Sequence, residues 1–286
     1  NKNREIYTMN RDGSNVIRLT NNNLFEEVPT WSPDGNKILF TRQLNETIDS
    51  VKTTNGEIFI MEKNGKNEKG FDSGAKFSPN GKQIAFYGIT EDKNYEIFTM
   101  NPDGTNITNL TNDSLEDYSP DWSPDGKWIA FSAEYSGSRQ IWIMPANGGT
   151  ARQLTWYNSV GVMPARGGYD HVVLDWTSDS RQILIRANRT PFGDRNGMYF
   201  LVNIDGGFET ALPIVNGGFG VLSPDNSKIC FTPVDREFRT WKRYKGGRAT
   251  DLWIYNLRAN TSEQITSFVG TDQWPTWNGD DIFYTS

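Results

Sequence analysis

WSPDGKWIAF, residues 122–131, is the stretch on which the fold turns: an aromatic residue, a Ser-Pro-Asp-Gly turn, then an apolar strand. Close variants recur as WSPDGNKILF from Trp31, FSPNGKQIAF from Phe77, WTSDSRQILI from Trp176, LSPDNSKICF from Leu222 and WNGDDIFYTS from Trp277. Their starts lie roughly 45 to 55 residues apart, a period that signals repeated supersecondary units. Six such units account for the whole chain.

Each copy is followed by a third apolar segment that usually closes on another Gly turn: EIFIMEKNG from Glu57, EIFTMNPDG from Glu96, QIWIMPANG from Gln140, MYFLVNIDG from Met198 and DLWIYNLRAN from Asp251. A short fourth segment then appears as NLT at Asn109, QLT at Gln153 and QIT at Gln264. The unit therefore reads as a four-stranded meander, with Asp and Gly supplying the tight turns. Segments such as KILF, QIAF and EIFIM are apolar without alternation, which predicts burial on both faces. A sheet sandwiched between two like sheets is a β-propeller blade. The first residues, EIYTMNRDG and IRLT, supply third and fourth strands, while QWPTW and DIFYTS at the other end supply first and second. The reading is thus an all-β, six-bladed propeller whose ends share one blade, two strands from each, forming a single domain over residues 1–286.

Composition narrows the partners. Thirty-five acids against 29 bases give a net charge of -6, so no global positive field recruits nucleic acid. No apolar run nears the roughly 20 residues of a bilayer span, and NKNREIYTMN lacks the basic and apolar parts of a signal peptide, so no membrane insertion is expected. A monomer is expected. One histidine and one cysteine cannot build a His/Cys zinc site, and Cys230 in KICFTP reads as an inert buried thiol. No GxSxG elbow, Walker loop or GxGxxG is present.

Two stretches carry family likenesses. The EIYTMNRDG, LTNN and WSPDG pattern over residues 1–156 resembles the TolB propeller family of the periplasmic Tol–Pal system. From residue 157 onward, REFRTWKRYKGG from Arg236, TDLWIYNL from Thr250 and GTDQWPTWNGDDIFYTS from Gly270 are similar to the six-bladed propeller of tricorn protease and its bacterial relatives. The TolB resemblance implies a non-enzymatic module that binds a protein or peptide in a periplasmic or secreted setting. The tricorn resemblance implies a propeller that filters peptides for a protease. The α/β domain of TolB and the PDZ-like and protease parts of tricorn have no counterpart in these residues.

Candidate sites follow from the repeat. Aligned on the first-strand aromatic, Glu26, Asp72, Asp117, His171, Gly217 and Asp272 share one offset, five residues before it. Four carboxylates and the lone histidine are expected to ring one channel mouth as a ligand-binding set. Crowded carboxylates call for a cation or a basic partner, so Ca²⁺ there is the cofactor to consider, against simple solvation of the acids. The same carboxylates leave a carbohydrate-active propeller as a third alternative. Longer connections, including RQLNETIDSVKTTNG between Arg42 and Gly56, read as loops on the recognition face. Among them, the basic aromatic run with Arg236, Arg239, Trp241, Arg243 and Tyr244 reads either as an arm for peptides or carboxylates or as a flap over the acidic mouth. No catalytic residue is assigned.

Overall fold

A computed structural model describes residues 4–10, 14–48, 51–66, 69–71, 75–90, 92, 94–157, 171–189, 197–214, 216–233, 250–267 and 271–285. Among these residues there is no helix, and the strands form six four-stranded antiparallel sheets. Blade 1 runs Phe25–Trp31, Lys37–Ile48, Val51–Glu62 and Lys69–Phe71. Blade 2 runs Lys76–Phe77, Ile84–Ile89, Tyr95–Met100 and Thr108–Asn109, and blade 3 runs Asp117–Trp122, Trp128–Ala133, Gln140–Pro145 and Arg152–Gln153. Blade 4 comprises Val172–Trp176, Gln182–Ala187, Met198–Asn203 and Thr210–Ala211; blade 5 comprises Gly220–Leu222, Lys228–Phe231, Trp253–Asn256 and Thr261–Gln264. Blade 6 takes Gln273–Asn278 and Asp281–Thr285 from one end of the chain and Ile6–Asn10 and Ile17–Arg18 from the other, with Tyr7 paired to Tyr284 and Thr8 to Phe283.

The core is divided into six clusters, and each lies in one seam between successive blades. Along Trp128–Ala133, Ile129 and Phe131 pack with Ala85 and Ile97 of blade 2, while Ala130 packs with Val173 and Ile185 of blade 4. Alternate side chains of one strand thus serve two seams, which is why these strands carry no polar face. Cys230 sits with Met9 and Ile282 in the blade 5–6 seam, its thiol pushed up by burial. The blade 6–1 seam joins Ile6 to Ile38, Phe40 and Met61, and stacks Trp31 edge-on against Phe283 at 4.2 Å.

The SPDG turns are built alike. In blade 3 the Ser123 hydroxyl donates to Asp125 at 2.7 Å and accepts from the Trp128 amide at 3.0 Å, while Gly126 takes φ of 71°. Where glycine is missing, Ser180 and Asn226 occupy the same left-handed position at 62° and 56°. The stretch from Arg42 to Gly56 differs from its reading as a loop. Strand pairing continues through it, from Arg42 opposite Glu57 to Ile48 opposite Val51, so blade 1 extends into a long hairpin. Its β-branched residues Thr47, Ile48, Val51, Thr53 and Thr54 favour that extension over a loop.

If the blade 6–1 seam holds the ring, Phe283→Ala should destabilise the protein by about 3–5 kcal/mol, as Phe131→Ala should in the blade 2–3 seam. Urea melts followed by tryptophan fluorescence check this; a cost below about 1 kcal/mol for Phe283→Ala alone would mean that the seam is not a core.

Candidate functional site

The first strand of every blade faces the axis, and together they wall a cavity of about 690 Å³. Its wall includes Val28, Lys76, Ser119, Val173, Phe219 and Trp274, one from each blade. Four of these strands carry the same irregularity. Between Glu27 and Thr30, Tyr118 and Asp121, Val173 and Asp175, and Gln273 and Thr276, the strand gains one residue on its partner. Such a bulge reverses the alternation of side chains beyond it. Val28, Ser119 and Trp274 adopt left-handed φ of 52°, 53° and 49° within it, an unfavourable region for a β-branched or bulky residue.

The bulge decides where the residues five positions before the aromatic go. Glu26, Asp117, His171 and Asp272 are buried, none above 2 % exposed, and none of them is part of the cavity wall. They lie in the seams, set back from the cavity. Glu26 accepts from Arg42 at 2.7 Å and from Asn22 at 2.6 Å, and burial raises its pKa against the pull of those donors. Asp117 accepts from the Tyr135 hydroxyl at 2.9 Å; burial, helped by the charges of Asp113 and Glu96, pushes its carboxyl up to about 7. His171 donates from Nδ1 to the Arg139 carbonyl at 2.9 Å and accepts at Nε2 from Arg189 at 2.9 Å. Burial and the Arg189 charge lower its pKa to about 3, so the ring is neutral. The Asp272 amide and carbonyl bond the backbone and hydroxyl of Thr250 in blade 5, at 2.7 Å and 3.0 Å. Gly217, where a Cβ would meet the Tyr199 ring at 2.4 Å, bridges Gly197. Asp72 and the run with Arg236, Arg239, Trp241, Arg243 and Tyr244 lie outside the described residues.

Two of the charges that line the axis, Lys76 and Asp121, come from a different offset. One residue before the aromatic, the repeats read Thr30, Lys76, Asp121, Asp175, Val221 and Thr276. Lys76 and Asp121 wall the cavity together with Glu27, Arg139 and Arg186. Asp175 reaches forward to accept from the Leu222 amide of blade 5 at 2.7 Å. Burial pushes Asp121 up to about 7 and also raises Asp175, with Lys76 opposing both shifts. Aromatic surface accompanies these charges: the Arg139 guanidinium lies 4.2 Å from the Tyr118 ring centre, and behind the wall the guanidinium of the buried Arg4 lies 4.9 Å from Trp274. Both offsets recur in the repeat, and only the bulge sets their side chains apart.

Residues 96–286 match the family described as the tricorn protease N-terminal β-propeller domain. The chain belongs to that family. Tricorn protease homolog 1 of Streptomyces coelicolor is 29% identical over 211 residues, covering 73% of this chain and 18% of that protein. An uncharacterized protein of Agrobacterium fabrum, Atu1656, is 28% identical over 166 residues, 54% of this chain and 52% of its own length. The chain therefore spans about half of one relative and under a fifth of the other. TolB of Acinetobacter baumannii superposes with a TM-score of 0.69 at 19% identity, over 94% of this chain and 64% of that one, which places the tricorn-type propeller and TolB in one fold. The family match begins at Glu96 and so takes in the whole of blade 3, whose WSPDG motif resembles TolB.

The raised carboxyls set a pH response. Asp121 and Asp117 hold their protons more tightly folded, at about 7, than at their ordinary 3.8. Their stabilising share is complete below about pH 4 and is lost as pH rises through 7, at most about 1.4 kcal/mol per pH unit for each group. His171 acts oppositely, since its folded value near 3 lies below the ordinary 6.5, and its share is lost as pH falls through that window. Melting temperature should therefore fall from pH 6.5 to 8, and Asp121→Asn should flatten that slope. An unchanged slope in the variant would contradict the assignment.

Proposed function

We propose that this propeller binds an extended protein or peptide segment at the mouth of its central channel and carries out no chemistry of its own. The observation that carries the reading is the cavity wall. Every blade contributes to it, and it combines aromatic surface at Phe25, Tyr118, Phe219 and Trp274 with charges of both signs at Lys76, Arg139, Glu27 and Asp121. Aromatic faces give contact area to a chain of any sequence, while opposed charges fix its direction through its polar groups. A binding role is also supported by the setting of His171. Both its ring nitrogens are engaged, by the Arg139 carbonyl and by Arg189, and its lowered pKa unsuits it to act as a base. The run from Arg236 to Tyr244 joins this reading by residue chemistry, since arginine forks suit the carboxylates of a peptide. Motif resemblance to TolB supports an extracytoplasmic setting.

Membership in the tricorn N-terminal propeller family favours a more particular version, in which the bound segment is a peptide on its way to a peptidase. In that version the wall residues select which peptides pass. The wall substitutions should then change the length or charge of the peptides cleaved by a peptidase that carries this propeller.

Fluorescence anisotropy with a library of labelled 6- to 12-residue peptides tests binding. Tyr118→Ala and Phe25→Ala should each weaken the best peptide about tenfold, or about 1.4 kcal/mol, with little change in melting temperature. Absence of any peptide binding, or binding indifferent to both substitutions, would remove the channel from consideration.

A further inference from the structure

The repeats provide their own controls at the seams. In three described seams the same small network recurs beside the residue five before the aromatic. A Glu or Gln at or just before the start of a third strand accepts from a backbone amide about four residues beyond the fourth: Glu5 from Asn22 at 3.0 Å, Glu96 from Asp113 at 2.9 Å and Gln140 from Tyr157 at 3.2 Å. A threonine hydroxyl caps the next amide in each, Thr20 to Ile6, Thr111 to Ile97 and Thr155 to Ile141. The backbone is constant, so the side chains show how each seam handles charge.

Two of the three seams are balanced. Between blades 6 and 1, Glu5 pairs with Arg18 at 2.6 Å and Glu26 pairs with Arg42. Between blades 3 and 4, the positions hold Gln140, Tyr157 and a neutral His171. The seam between blades 2 and 3 holds Glu96, Asp113 and Asp117, with one carboxylate oxygen of each lying within 4.8 Å of the others. Among the described residues no lysine or arginine forms an ion pair with any of them. Glu96 and Asp117 are buried, and Asp113 is exposed at the rim. Asp117 is wholly buried; Oδ2 accepts from Tyr135, Oδ1 is buried without a hydrogen-bond partner, and one oxygen of this carboxyl lies within 4.8 Å of those of the other two acids.

We infer that the Glu96, Asp113 and Asp117 carboxylates form a binding site for a hard divalent cation of the calcium type in the seam between blades 2 and 3. All three donors are oxygens, they come from two blades, and the exposed Asp113 gives the ion a path from solvent. Calcium accepts 6–8 oxygens in flexible geometry, which suits a site completed by water. A bound ion would complete the free valence of Asp117 Oδ1 and supply the positive charge that the arginines bring to the blade 6–1 seam. This site is local to one seam and is separate from the channel.

The test is terbium luminescence and calorimetry on the chain at pH 7.5, with calcium as competitor. Tyr135, bonded to Asp117 and 4.7 Å from the Trp142 ring, is placed to sensitise terbium. Terbium emission should rise on binding and be displaced by calcium, and millimolar calcium should raise the melting temperature relative to EDTA. Asp113→Asn, at an exposed position where the amide oxygen can still accept from Leu115, should fold normally and weaken calcium at least tenfold. Glu26→Gln, in the arginine-balanced seam, should leave calcium affinity unchanged. No calcium binding at millimolar concentration, or binding unchanged by Asp113→Asn, would overturn the site. So would calcium binding that Glu26→Gln weakens as much as Asp113→Asn.

Discussion

Burial of both faces of every blade is the constraint on which this structure depends. No blade has a core of its own; Ile129 and Phe131 belong to one seam and Ala130 to the next, although they are neighbours on one strand. A sheet with two apolar faces gains from burial only when both neighbours are present. The ring therefore needs its last seam as much as any other, and blade 6 meets that need by drawing strands from both ends of the chain. Two of the first-strand tryptophans add a polar link between blades. Trp176 donates to the Asp121 carbonyl and Trp277 to the Val221 carbonyl of the preceding blade, both at 3.3 Å.

Within that frame the bulge in the first strand separates two tasks. Residues ahead of it turn back into the seam with the preceding blade, as Asp117 does towards Glu96. Residues after it turn towards the axis or the following blade, as Asp175 does towards Leu222. One inserted residue thus lets a single short strand contribute both to interblade cohesion and to the wall of the cavity. The left-handed conformations of Val28, Ser119 and Trp274 are the local cost.

The seams share their apolar packing and differ in their polar chemistry. Arginine pairs, a neutral Gln and His, a close approach of Gly197 and Gly217, and three carboxylates occupy corresponding places in different seams. Buried charge is tolerated only with a partner of opposite sign, a proton or an ion. The repeat has therefore kept its geometry while each seam has solved the charge problem with its own side chains.

Fold and blade number were legible in the sequence because they rest on local signals: the Ser-Pro-Asp-Gly turn, the apolar strands either side of it and the incomplete copies at residues 1–20 and 273–286. Asp117 and Asp121 were visible too, yet nothing in their spacing says that they face different ways. Four residues apart on a regular strand they would share a face; the extra residue between Tyr118 and Asp121 reverses one of them. The hairpin from Arg42 to Gly56 was likewise hidden, because Asn, Glu and Asp residues mask its β-branched pattern. What the sequence determined by itself was the repeat and its closure, since turn chemistry and apolar runs act over a few residues. Only the tertiary structure decided which acids wall the channel and which meet in a seam, because that depends on bulges and on contacts between blades some 20 residues and more apart in the chain.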